Sequence, residues 1–113
     1  MNIAARIASN VSILDLNGRI AIGESSVALR DKIRELVKSG QKDILLNMGE
    51  VSRMDSSGIG ELINAYVHVK KLGGQLKLSN PTTALRERLA ITKLLIILEC
   101  YDNEATALQS FRK

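Results

Sequence analysis

The run Met54-Asp55-Ser56-Ser57-Gly58-Ile59-Gly60-Glu61 gathers the side chains of this chain most able to do chemistry. It follows a short apolar segment and opens a stretch of helical spacing, so two hydroxyls and a carboxylate fall at a predicted helix N-terminus. The first turn of a helix carries unpaired N–H groups and a partial positive charge. A serine there can cap the helix with its own oxygen, and so can Asp55. A serine there can also carry a phosphoryl group, whose oxygens meet the same N–H groups. Capping accounts for one serine and leaves the other unexplained. Gly58 and Gly60 pose a second question, because glycine inside a helix costs about 0.8–1 kcal/mol relative to alanine. Two of them imply close approach of something, either the chain's own sheet or an outside surface.

Nucleophilic catalysis would require a base near these serines. The sole histidine, His68, lies nine residues beyond Ile59 and so on the opposite helix face, where it reads as a solvated surface residue. Ser56-Ser57-Gly58 lacks the leading glycine of the nucleophile elbow, since Met54 stands there. Gly58-Ile59-Gly60 begins like a dinucleotide fingerprint, but Ile63 replaces its third glycine and no acid lies between Glu61 and Glu87 to hold a ribose. No P-loop is present, and one histidine with one cysteine makes no ligand cluster. The expectation is a non-enzyme with no catalytic residue, no cofactor and no metal.

The elements that position this run emerge from changes in apolar period. Val11 to Leu16 reads as a strand, Asn17-Gly18 as a hairpin turn and Arg19 to Ile22 as the returning strand, with an earlier short strand at Ile3 to Ala8. Gly23 to Ser26 reads as a turn whose serine caps a helix carrying Leu29, Ile33, Leu36 and Val37 on one face, closed by Gly40. Asp43 to Met48 is nearly all apolar, as a strand covered on both faces would be, and Gly49 to Asp55 reads as a loop. The next helix places Ile59, Leu62, Ile63, Tyr66 and Val67 on its apolar face and ends at Leu72-Gly73-Gly74. Gln75 to Ser79 alternates as a strand. A short helix capped by Thr82 or Thr83 runs to about Ala90, a last strand falls at Leu94 to Leu98, and a terminal helix starts from Asp102. This order predicts an α/β fold, an open mixed sheet with packed helices, in which Ile44 to Leu78 forms a right-handed parallel crossover.

Composition bounds the rest. At 113 residues one domain spanning 1–113 is expected, with 45% apolar and 3% aromatic residues giving an aliphatic core. The net charge of +4 is scattered among acids and comes with few aromatics, which argues against direct nucleic-acid binding. Leu94 to Leu98 is far short of the roughly 18 residues of a membrane span. The start of the chain lacks the pattern of a signal peptide. With Cys100 alone no internal disulfide forms, and a cytoplasmic setting is expected.

The stretch Asp43 to Asn80 is similar to the core of the anti-sigma factor antagonists, the bacterial members of the STAS-domain family. The likeness rests on Ile44-Leu45-Leu46-Asn47-Met48, on Asp55-Ser56-Ser57-Gly58-Ile59-Gly60, and on Gly73-Gly74 with Leu76-Lys77-Leu78. It implies a single STAS-like domain, a four- to five-stranded mixed sheet with helices mainly on one side. It also implies a cycle. The unphosphorylated form binds an anti-sigma factor that is also a serine kinase and so releases the sigma factor, the kinase phosphorylates Ser56, and a serine phosphatase reverses the mark. Ser57 matches the second serine, which is not the usual acceptor, and Asp55 an acid needed beside it. The partner-binding tip would comprise Asp55, Ser56, Ser57, Gly58, Ile59 and Gly60. Arg19 and Ala21 stand where many members carry acids, a departure that touches partner choice. The alternatives are a scaffold or a ligand-sensing STAS module in a larger signalling assembly.

Overall fold

The computed structural model describes residues 2–20, 24–93 and 97–111. Its elements are β1 (Asn2–Ala8), β2 (Val11–Ile20), α1 (Glu24–Lys38), β3 (Asp43–Met54), α2 (Ser56–Lys71), β4 (Gln75–Ser79), α3 (Thr83–Ile91), β5 (Cys100–Tyr101) and α4 (Glu104–Ser110). The five strands form one sheet in the order β1-β2-β3-β4-β5. β1 is antiparallel to β2, and every later pair is parallel. This is the mixed sheet expected.

The two faces of β3 show how the sequence fills the layers. Ile44, Leu46 and Met48 point into the main core with Leu14, Leu16 and Ile20 of β2, and are covered by Leu29 and Ile33 of α1, Leu62 and Val69 of α2, and Leu85 and Leu89 of α3. Leu45 points the other way, joining Val11, Ile13 and Ala107 under α4. Three helices thus lie on one face and the short α4 on the other, which is why the run Ile44-Leu45-Leu46 is apolar without alternation. Lys77, on the α4 face of β4, is buried and donates from Nζ to the Ser110 carbonyl at 2.9 Å and Oγ at 3.0 Å, tying α4 to the sheet. No helix among the described residues is long and apolar enough to cross a membrane.

Several boundaries differ from expectation. The hairpin turns at Ser9-Asn10, both in the left-handed region (φ 52° and 64°), between the paired residues Ala8 and Val11. Two positive φ values in a two-residue loop are the signature of a type I′ turn. Asn17-Gly18 instead lies inside a continuous β2, at a shift in its register with β3. β3 does not stop at Met48 but continues through the expected loop to Met54. From Asp15↔Asn47 to Asn17↔Glu50, and again from Gly18↔Val51 to Arg19↔Arg53, β3 advances one residue more than β2. These bulges give its second half buried residues at every third position, Met48, Val51 and Met54, a spacing that masks a strand. α1 begins at Glu24, ahead of the serine expected to cap it. The expected strand residues Ala21 and Ile22 and the turn residue Gly23 lie outside the described residues. So does 94–96 of the expected last strand, and the described last strand is Cys100–Tyr101. Thr82 caps α3, and Asn103 rather than Asp102 caps α4.

Both main helices close as their glycines predicted. After α1, the Gly40 N–H reaches the Val37 carbonyl and the Gln41 N–H that of Leu36, and Gly73 and Gly74 repeat the pattern after α2 with Lys70 and Val69. These are Schellman caps, with Gly40 at φ +94° and Gly73 at φ +84°.

The β1 edge is tied down by charge. Arg6 meets Asp15 through Nε–Oδ2 at 2.6 Å and Nη2–Oδ1 at 3.1 Å, and its other side pairs with Glu104 of α4. The Arg6 hydrogen bonds, helped by Asn47, hold the Asp15 carboxyl below its ordinary value, although burial pulls the other way. A carboxyl depressed by folding stabilises the native state above its unfolded pKa and loses that contribution as pH falls through the folded pKa. Urea unfolding should therefore show stability dropping below about pH 4, and Arg6→Met should flatten that drop. Equal acid limbs in the two proteins would count against the pairing. On β5, burial pushes the Cys100 thiol up to about 11, with Arg86 opposing weakly. Alkylation of the native protein at pH 8 should run roughly two hundredfold slower than of a free cysteine with its pKa near 8.5, recovering on unfolding.

Candidate functional site

The site is assembled where β2 and β3 end together, at the pair Ile20↔Met54. Three hydrogen bonds fix the entry into α2. The Asp55 N–H donates to the Ile20 carbonyl at 3.3 Å. Arg88 of α3 donates from Nη1 to the Met54 carbonyl at 3.0 Å. Asp55, in extended conformation (φ −92°, ψ −176°), accepts from the Gly58 N–H on Oδ1 at 2.9 Å. Asp55 is therefore the N-cap, and Ser56 and Ser57 are the first two residues of α2. The open choice of cap is resolved in favour of the carboxylate, and neither serine is needed for that purpose.

The two glycines separate into different roles. A Cβ on Gly58 would stand 2.6 Å from the Ile20 carbonyl oxygen and 2.7 Å from Met54 Cγ, so its absence lets the helix start lie directly on β2. A Cβ on Gly60 would meet nothing within 4 Å, and Gly60 is exposed. Ile59, at 7% exposure, points into the core. Of the residues expected at a partner surface, Gly58 and Ile59 thus lie inward and shape the tip from beneath. Asp55 is half-buried at its edge, and Gly60 is open.

Beside the tip is a shallow pocket of about 370 Å³ lined by Arg19, Arg53, Met54, Asp55 and Arg88. Arg19 and Arg53 are register partners on β2 and β3, and Arg88 arrives from α3. The sequence singles out Arg19 alone. Arg53 falls in the expected loop, and its opposition to Arg19 becomes visible only with the bulged register.

Farther along α2 the apolar face also differs from expectation. Ala65 and Val69 are buried, whereas Val67 is 43% exposed. His68 is half-buried, lining a small cleft against α1 with Arg30, Arg34, Glu61 and Asn64, so it is not the solvated histidine expected. Glu61 is itself buried there, and its Oε1 has no hydrogen-bond partner among the described residues. His68 does not stand at the tip on this geometry, since its cleft lies on the α1 side of α2 and shares no residue with the arginine pocket.

A parallel-stranded core with an antiparallel edge, three helices on one face and a serine pair opening the helix after β3 defines a regulatory STAS-type fold. The STAS domain family model matches residues 2–107. The anti-sigma-B factor antagonist of Bacillus subtilis is 35% identical over 101 residues, covering 88% of this chain and 91% of that protein. Among solved structures, TM1081 of Thermotoga maritima superposes with a TM-score of 0.90 at 25% identity, covering 98% of this chain and 95% of that one. Bacillus SpoIIAA, solved in its phosphorylated form, superposes with a TM-score of 0.75 at 21% identity, covering 98% and 100%. The chain belongs to the STAS-domain family of anti-sigma factor antagonists.

Proposed function

We propose that this chain, acting as a single STAS domain over 1–113 in the cytoplasm, is a regulator that docks on an anti-sigma factor and is switched off by phosphorylation of Ser56. The observation that carries the reading is the division of labour at the tip. Asp55 caps α2, so the cap does not call on the hydroxyl of the residue after it. The backbone leading into that residue is held at Asp55 by the Ile20 carbonyl and at Met54 by Arg88. Asp55, Ser56, Ser57 and Gly60 would pack against the partner, with Gly58 and Ile59 supporting that tip from beneath. The partner's kinase activity would transfer the γ-phosphoryl group of ATP to the Ser56 oxygen. An O–P bond forms there as the bond to the β-phosphate oxygen breaks, ADP leaves, and the serine proton passes to a base on the kinase. A serine phosphatase would return the hydroxyl by hydrolysis. Neither nucleic acid nor membrane enters the cycle. The SpoIIAA structure supports the compatibility of this fold with a phosphorylated state.

Phosphopeptide mapping of the native protein from cells tests the reading. Phosphate on Ser56, lost in Ser56→Ala, is the expected result. A protein that never carries phosphate there, under conditions where its anti-sigma factor is active as a kinase, would overturn it.

A further inference from the structure

The arginines around the tip have no use in the phosphorylation cycle proposed for Ser56. Arg19, Arg53 and Arg88 converge on one pocket from three elements, and the single acid lining it is Asp55. Among the described residues none of the three forms an ion pair: the pairs present engage Arg6, Lys32, Lys77 and Arg86. Glu87 lines the adjoining cleft with Arg53 and Arg88 but makes no ion pair with either. Asp55 already spends one oxygen on the Gly58 N–H. Arg88 gives one donor to the Met54 carbonyl, which leaves most of its five N–H groups free and fixes where its fork points. Three like charges held together with a single carboxylate among them repel one another, so the arrangement favours an anion.

The charges match one anion well. Three guanidinium groups and one carboxylate leave the pocket at about +2. A phosphoserine contributes about −1.5 to −2. Guanidinium forks suit the phosphate oxygens in both shape and number. Ser56 comes directly after the lining residue Asp55, with its Cα about 3.8 Å away across one trans peptide. We propose that Arg19, Arg53 and Arg88 form a phosphate-monoester site whose occupant is the phosphoryl group of Ser56 in the same chain. The proposal rests on the reading of Ser56 as the acceptor and adds how the modified state is held. The mark does not stand as a bare anion at the tip. It is neutralised in cis, and it takes three cations out of any contact with a partner.

The test needs no partner. The full chain carrying phosphoserine at position 56, installed during translation, is titrated by ³¹P NMR. Asp55 alone, a neighbouring negative charge, would raise the second phosphate pKa, whereas the arginines lower it. The expected result is a value about one unit below the usual ~6, a tenfold stronger acid, returning toward the usual value in the Arg19→Gln/Arg53→Gln double variant. Both substituted side chains are exposed, and circular dichroism checks that the fold is kept. A value at or above the usual one in the unsubstituted chain overturns the site and requires no variant. So does a lowered value that the double variant leaves unchanged, which would assign the effect to the helix start instead. A native protein that lacks the phosphate would remove the functional reading while leaving the titration standing. An unshifted titration with a partner that still rejects the modified chain would do the reverse.

Discussion

Replacing Ser56 with aspartate should lower affinity for the anti-sigma factor by about a hundredfold, while Ser56→Ala should bind as the native chain does and resist phosphorylation. The reasoning begins from position. Ser56 is the first residue of α2 and Asp55 supplies the cap. Neither substitution therefore removes the Asp55–Gly58 cap, and the fold should change by less than about 0.5 kcal/mol. What changes is the charge presented to a surface shaped for a hydroxyl. Desolvating an anion against a partner that offers it no pair costs several kcal/mol, and about 2.8 kcal/mol already corresponds to a hundredfold in the dissociation constant. Phosphoserine is bulkier than aspartate and, held by the arginines, would also take three cations out of contact with the partner, so the modified native protein should bind more weakly still. Titration calorimetry on the three proteins reads the difference. Equal affinity for the aspartate and alanine variants would show that charge at this position does not control docking.

The run Asp55-Ser56-Ser57-Gly58 and the strand–helix–strand around it were legible because they rest on short-range rules. An apolar strand, a polar capping run, an apolar stripe at helical spacing and a Gly-Gly stop each act within a few residues, and Asp43, Asp55 and Gly73 sit where such rules place them. What escaped depends on pairing between distant segments. Asn17-Gly18 carries the stronger local turn signal, yet the turn fell at Ser9-Asn10 because β2 must run on to pair with the whole of β3. The end of β3 reads as a loop because two bulges convert its period from two to three, and a one-residue offset is invisible until the partner strand is known. Those same bulges set the direction in which β3 delivers Met54 and Asp55, and they bring Arg53 opposite Arg19. The serine pair that opens α2 was therefore readable in one dimension, and its charged surroundings were not.

Gly58 and Gly60, two residues apart in one helical turn, should respond to alanine in opposite directions. At Gly58 the new methyl would sit 2.6 Å from the Ile20 carbonyl oxygen and 2.7 Å from Met54 Cγ. Met54 can move its flexible chain, but the carbonyl belongs to the strand end that anchors Asp55. Relief requires α2 to lift from β2. An overpacking cost of about 1–3 kcal/mol is expected, beyond the better helix propensity of alanine, with the melting temperature lower by several degrees. At Gly60 the methyl meets nothing within 4 Å, so only the propensity gain remains, about 0.8–1 kcal/mol of added stability. No contact among the described residues requires this exposed glycine, and the proposed docking surface would supply a reason for it. Gly60→Ala should therefore raise thermal stability and, on the proposed docking surface, at the same time weaken binding to the anti-sigma factor, because the added methyl would stand where the partner packs. Thermal unfolding and binding measured on the same samples separate the two effects. A Gly60→Ala protein that is both more stable and fully competent to bind would place the partner elsewhere on the tip, and a neutral Gly58→Ala would mean that α2 does not rest on β2 as closely as the Ile20 contact requires.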